Sequence, residues 1–103
     1  MKTTAKKRLE IVIEAPVVRR LTRRLDETGV KGYTVYPAVS GRGENGSWSR
    51  RGQITDSGQM YVLFAVLDAN ELEEVLDTVY ALVSRQIGIV TISDVEVIRA
   101  DRF

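Results

Sequence analysis

The sequence predicts an α+β fold of order β-α-β-β-α-β, and three observations carry that expectation. Stretches of β-branched and aromatic residues, some alternating with period 2, are interleaved with two segments of period 3.6. One segment, Met60 to Leu67, is apolar at every position. No linker, internal repeat or low-complexity tail interrupts the chain, and 103 residues is the length of one domain, residues 1–103.

Leu9 to Glu14 alternates apolar and polar, with Leu9, Ile11 and Ile13 on one face of a strand. Pro16 follows at a place where a first helical turn tolerates it, because that amide needs no partner inside the helix. Val17, Val18, Leu21 and Leu25 then recur at helical spacing, and Gly29 is a natural carboxyl-terminal cap. Gly32 to Tyr36 reads as a second strand. Met60 to Leu67 is a third, with apolar side chains for both faces of a sheet. Asn70, with Glu73 three residues on, has the spacing of a capping box. Leu72, Val75, Leu76, Val79, Leu82 and Val83 make the stripe of the helix behind it. The last strand begins at Gly88 and runs through Ile89, Val90, Thr91 and Ile92 to Val95, Val97 and Ile98.

That order is the ferredoxin-like βαββαβ sandwich, two interlocked βαβ-type halves. Two helices cover one face of such a sheet. The third strand therefore leaves either Met60, Val62, Phe64 and Val66 or Tyr61, Leu63, Ala65 and Leu67 facing water, at about 1.5–3 kcal/mol for each large side chain. Association with further copies relieves that cost, so an obligate oligomer is expected.

Residues 40–58 obey neither period. The segment holds five glycines, four serines and three arginines, with Trp48 and Ile54 its only large apolar residues. Loops of this length inside a compact domain are usually functional or disordered. The glycine and serine content predicts mobility from Arg42 to Thr55 in the absence of a ligand. Gly41-Arg42-Gly43 and Ser49-Arg50-Arg51-Gly52 combine backbone freedom with guanidinium groups, the chemistry that binds phosphate or carboxylate, although an unliganded polar loop has the same composition. Trp48 either packs back on the body or anchors a partner.

Composition narrows the function. An apolar share of 44% with 28% charged residues is globular and argues against disorder. Fifteen basic residues against fourteen acidic ones leave +1, too balanced for affinity to rest on a nucleic-acid field. The chain has no cysteine and no histidine, which removes thiol chemistry, the usual neutral-pH base and the usual metal ligand. No metal is expected. The apolar stretch from Leu9 to Val18 is broken by Glu10, Glu14 and Pro16, so neither a secretory signal nor a membrane span is expected, and the location expected is cytoplasmic. Arg19, Arg20, Arg23 and Arg24 line one side of the first helix. Such runs are most often solvated faces, and otherwise contact patches for an acidic partner.

Two familiar uses of this fold fit poorly. An RNA-recognition motif places stacking aromatics on one face of a central strand. Tyr61 and Phe64 have opposite parity, and the basic-Gly-aromatic signature is missing. An acylphosphatase-like enzyme needs an arginine in a Gly-rich loop after the first strand, where this chain has Glu14-Ala15-Pro16.

The segment Gly29-Val30-Lys31-Gly32-Tyr33-Thr34-Val35 resembles the second strand of the PII signalling family. The glycine-rich residues 40–58 stand where that family carries its long T-loop, and Leu67 to Asp77 resembles its passage from third strand to second helix. The likeness runs from about Arg8 to Arg102. It implies a homotrimer with adenine nucleotide (AMP, ADP or ATP) in clefts between subunits. Gly32, Tyr33, Thr34, Gly41, Arg42 and Gly43 would line one side, and Gly88, Ile89, Arg99 and Arg102 of a neighbour the other. Arg50, Arg51 and Trp48 would serve an anion or a protein partner. Nitrogen-sensing members have a Gly-Asp-Gly-Lys turn before the last strand, whereas this chain has Arg85-Gln86-Ile87-Gly88. Their loop tyrosine is missing from 40–58, and Gly43-Glu44-Asn45 replaces their magnesium-holding glutamine. These departures resemble the divergent PII-like branch linked to inorganic carbon, of the SbtB and carboxysome-associated sort. In the carboxysome-associated group bicarbonate is a co-ligand. The partner implied is a bicarbonate transporter or a carboxysome component. The leading reading is thus a non-enzymatic regulator that signals through its loop. The alternative is a ferredoxin-like small-molecule-binding or oligomerisation module that takes no nucleotide, and an enzyme of this fold comes third.

Overall fold

In the computed structural model, which describes residues 1–43, 46–49, 59–84 and 88–99, the first strand is β1, Thr4–Glu14. It is followed by α1 (Ala15–Thr28), β2 (Tyr33–Pro37), β3 (Ser40–Gly43), β4 (Gly46–Ser49), β5 (Met60–Leu67), a 3-10 turn at Ala69–Glu71, α2 (Leu72–Val83) and β6 (Gly88–Val97). The main sheet has the order β2-β5-β1-β6, antiparallel throughout. This is the ferredoxin-like α+β fold.

β1 is longer than its alternating residues suggest. Thr4 to Arg8 pair with the stretch from Ser93 to Val97 of β6. Three of these positions, Lys6, Lys7 and Arg8, are charged. Lys6 pairs with Asp68, Lys7 with Asp94 opposite it, and Thr3 donates to Glu96. Cross-strand partners of opposite charge, here Lys7 and Asp94, add to the stability of a ladder.

The core lies between sheet and helices. Leu9, Ile11 and Ile13 of β1 and Leu63, Ala65 and Leu67 of β5 meet Val17, Leu21 and Leu25 of α1 and Val75 and Val79 of α2. Full burial of each Val, Leu or Ile contributes roughly 1.5–3 kcal/mol over leaving it exposed. Pro16 occupies the first turn of α1, and Gly29 closes it with a left-handed φ of 82°, a conformation that costs glycine least.

Two expectations need correction. The capping box ahead of α2 is formed by Asp68 and Glu71, not by Asn70 and Glu73. The Glu71 carboxylate accepts the Asp68 N–H at 3.0 Å, and the Asp68 carboxylate takes the Glu71 N–H in return. Both pairs have the right spacing, but β5 ends at Leu67, so Asp68 meets the orphan amides first. The segment 40–58 is also not uniformly without structure. Ser40–Gly43 and Gly46–Ser49 form a hairpin in which Ser40 faces Ser49 and Gly41 faces Trp48. Glycine and serine are poor strand formers, which hid this pairing. Of the mobility expected for residues 42–55, positions 42, 43 and 46–49 fall in the hairpin, and the rest lie outside the described residues.

Candidate functional site

The register of the sheet decides which side chains share a face. Leu63, Ala65 and Leu67 point to the helices, so Val62, Phe64 and Val66 point to the uncovered side, while Met60 at the strand's start is buried. There Tyr36, Val62, Val12 and Ile89 lie in one row across all four strands, and Thr34, Phe64, Glu10 and Thr91 in the next. The first row is apolar from edge to edge. Within it Tyr36 is 41% and Ile89 60% exposed.

The second row is knitted to its neighbours by polar and aromatic contacts. The Arg8 guanidinium lies 4.7 Å over the Phe64 ring and donates to Glu10 at 2.9 Å. Tyr36 meets Phe64 edge-on, with ring centroids 6.3 Å apart. A guanidinium over an aromatic face and an edge-on ring pair each add to simple apolar contact. No single-strand motif signalled this cluster. It depends on the β1–β5–β2 register, which pattern reading does not supply.

The sequence-predicted site residues fall into separate groups. Thr34 is exposed on the uncovered face of edge strand β2. A Cβ placed on Gly32 would meet nothing within 4 Å, so this chain by itself does not require glycine there. Tyr33 points the other way. Its hydroxyl donates to Asp26 of α1 at 2.9 Å, and that hydrogen bond holds the phenol above its ordinary range. Only its backbone can take part in a site shared with Thr34. Gly41 and the exposed Arg42 lie on β3, which leaves β2 at the Pro37 end.

Gly88 and Ile89 open β6, the opposite edge strand. They stand at the same end of the sheet as Pro37, since Pro37 faces Tyr61, Tyr61 faces Ile13 and Ile13 faces Gly88. Three inter-strand steps of about 4.8 Å nevertheless keep the two edges roughly 14 Å apart. The two halves of the expected site therefore do not converge within one chain. Arg99 lies past the far end of β6, whose ten residues separate it from Gly88 by roughly 30 Å. Arg50, Arg51 and Arg102 lie outside the described residues, and for Trp48 the placement opposite Gly41 is what the structure gives.

Sequence reasoning missed the charged cluster beside Gly32. Lys6 is buried and hydrogen-bonds Asp68. The Lys6 ammonium, with Lys31 adding to it, holds the Asp68 carboxyl below its usual range. Among the described residues no group of three or more carboxylates is placed to hold a metal ion, and no helix is long and apolar enough to cross a membrane.

Comparison with known proteins gives this geometry a context. The family model described as "Nitrogen regulatory protein P-II" matches residues 6–102. No curated protein matches the chain by sequence. Among solved structures, the chain is similar to CPII, a nitrogen regulatory PII-like protein from Thiomonas intermedia K12 bound to ADP, AMP and bicarbonate. That likeness has 26% identity and a TM-score of 0.89 over 99% of this chain and 96% of that one. A structure of CPII with ADP and bicarbonate gives 27% identity and 0.84 over 99% and 97%. A putative PII-like signaling protein from Thermus thermophilus shares the fold at 24% identity, with a TM-score of 0.81 over 100% and 99%.

Proposed function

The chain belongs to the nitrogen regulatory protein P-II family, and on that premise we propose a PII-like regulator that binds AMP or ADP, with bicarbonate, in clefts between the subunits of a homotrimer. One observation carries the reading: CPII, which matches over 99% of this chain, is bound to ADP, AMP and bicarbonate. The separation of the two half-sites supports it. Gly32 lies just before edge strand β2 and Thr34 on it, Gly41, Arg42 and Gly43 lie on β3 just after it, and Gly88 and Ile89 lie on the opposite edge strand β6. A cleft using both is completed by a neighbouring copy.

In this reading Gly32 leaves room for a nucleotide to approach the backbone, and Thr34 meets the adenine edge. Arg42, with Arg50 or Arg51, pairs with phosphate or bicarbonate, because a guanidinium offers two parallel donors to a planar or tetrahedral anion. Arg99, Arg102 and Trp48 are assigned more peripheral roles, the arginines at the cleft margin and Trp48 toward a protein partner. Anion capture orders the segment 40–58, and a partner reads the ordered shape. That partner belongs to inorganic-carbon metabolism, a bicarbonate transporter or a carboxysome component. The role is signalling, not catalysis, and requires no metal.

Thermal melting with AMP, ADP, ATP, single amino acids, phosphate and bicarbonate tests this reading. A ligand at about a hundred times its Kd adds roughly 2.7 kcal/mol to apparent stability. AMP or ADP should raise the melting temperature, and bicarbonate should raise it further when nucleotide is present. A shift with amino acids alone would replace the proposal by a nucleotide-free module.

A further inference from the structure

We propose that the helix layer is a second association surface, on which the arginine face of α1 in one molecule docks against the acidic face of α2 in another. Basic charge is concentrated on α1, where Asp26 and Glu27 follow the arginines, and α2 exposes acidic charge. α1 exposes Arg20, Arg23 and Arg24, and α2, packed beside it, exposes Glu73, Glu74 and Asp77. Among the described residues none of these six forms an ion pair.

The arrangement does nothing for α1 as an isolated helix. Its first turn has no acidic residue and its last turn no basic one. Asp26 and Glu27 instead sit where the helix dipole disfavours them. A charge pattern that works against its own helix suggests another use. α2 supplies the complement and an anchor. Glu73, Asp77 and Tyr80 fall on one stripe, at spacings of four and three, and Tyr80 is 71% exposed. An exposed tyrosine flanked by carboxylates suits a guanidinium, which pairs with the acids and stacks on the ring.

The surface is self-complementary. If α1 of one molecule meets α2 of the next, a two-fold axis brings α2 of the first onto α1 of the second, and every contact is made twice. Exposed ion pairs are individually weak, so the contact is dilute, concentration-dependent and sensitive to salt. It uses the opposite side of the sheet from the Tyr36–Ile89 row, so it links assemblies without competing with subunit packing there. The linking of trimers rests on the trimeric reading above, whereas the contact itself does not.

Small-angle scattering across a concentration series, at about 0.01 M and about 1 M salt, tests the idea, since screening lengths fall from roughly 30 Å to 3 Å between these limits. The high-salt mass weighs the unlinked unit and judges the trimer separately. At low salt the wild-type protein should form larger species. Tyr80→Ala, which leaves charge unchanged, should weaken them at least tenfold. A chain carrying Arg20→Glu, Arg23→Glu, Arg24→Glu, Glu73→Lys, Glu74→Lys and Asp77→Lys together keeps its net charge and its complementarity. It should associate with itself and not with wild type. Absence of low-salt association, an unaffected Tyr80→Ala variant or indiscriminate mixing of the two chains would each overturn the proposal. Circular dichroism confirms that each variant is folded.

Discussion

At the scale of single residues, Gly88 and Asp68 show how position dictates side-chain chemistry. A Cβ at Gly88 would lie 2.8 Å from the Val12 carbonyl oxygen and 3.0 Å from Cγ2 of Ile13. The glycine is required for space, because β6 starts directly against β1. Gly88→Ala should therefore cost about 1–3 kcal/mol by overpacking, read as a lower urea midpoint with an unchanged slope. Asp68 makes a prediction about acid. Its folded-state pKa is depressed by Lys6, so the contribution is present above the unfolded value, about 3.9 for aspartate. It is lost as pH falls through the lower folded value. Asp68→Asn should be less stable than wild type at neutral pH, and the gap should narrow only below about pH 4. A gap that stays constant down to about pH 2 would show that the charge on Asp68 is irrelevant.

At the scale of elements, the cap ahead of α2 separates two candidates of equal sequence merit. Glu71→Ala removes the acceptor for the Asp68 N–H and should cost about 0.5–2 kcal/mol. Asn70→Ala, at an exposed position without a capping role, should stay within about 0.5 kcal/mol; equal losses would return the cap to Asn70. The same comparison explains what was legible in the sequence. β5 matches its apolar run residue for residue, from Met60 to Leu67, because apolar side chains on both faces of the strand leave a continuous signal. α1 was legible through Pro16, Gly29 and the Val17-Leu21-Leu25 stripe. The first five residues of β1 were not, since they carry no apolar alternation of their own, and long-range register leaves no local period. The β3–β4 hairpin was hidden for a related reason: its pairing is carried by backbone groups, while its composition reads as loop. The candidate site was half legible. Gly32, Thr34 and Gly41 stood out as residue types, but that Tyr33 turns toward Asp26 follows from strand parity relative to the helices. The Arg8–Glu10–Phe64 cluster needed three strands aligned at once.

At the scale of the whole molecule, the uncovered face and the divided site make two connected predictions. Val62 sits between Tyr36 and Val12 in the apolar row, whereas Leu63 is fully buried under the helices. Val62→Asp should leave the subunit folded but prevent assembly, because a neighbour would bury an unpaired carboxylate. Light scattering should weigh wild type at about three times 11.5 kDa and the variant at one. A wild-type monomer would remove the basis for an inter-subunit cleft. Nucleotide preference follows from what each edge offers. In the proposed cleft the adenosine half would be lined by Gly32 and Thr34 with the Gly41-Arg42-Gly43 base. More distant phosphates would rely in that cleft on the residues before Gly88, where Arg85-Gln86-Ile87 has no lysine and no second glycine. A charge-assisted hydrogen bond contributes about 1.5–3 kcal/mol, so one missing lysine contact lowers γ-phosphate affinity about ten- to hundredfold. AMP or ADP should accordingly bind at least as tightly as ATP in calorimetry. Alanine at Arg42, Arg50 and Arg51 in turn should identify the phosphate-holding arginine by a loss of the same size. A tenfold preference for ATP with magnesium over ADP would mean that these arginines replace the missing lysine, and would place the chain with the ATP-reading members of its family.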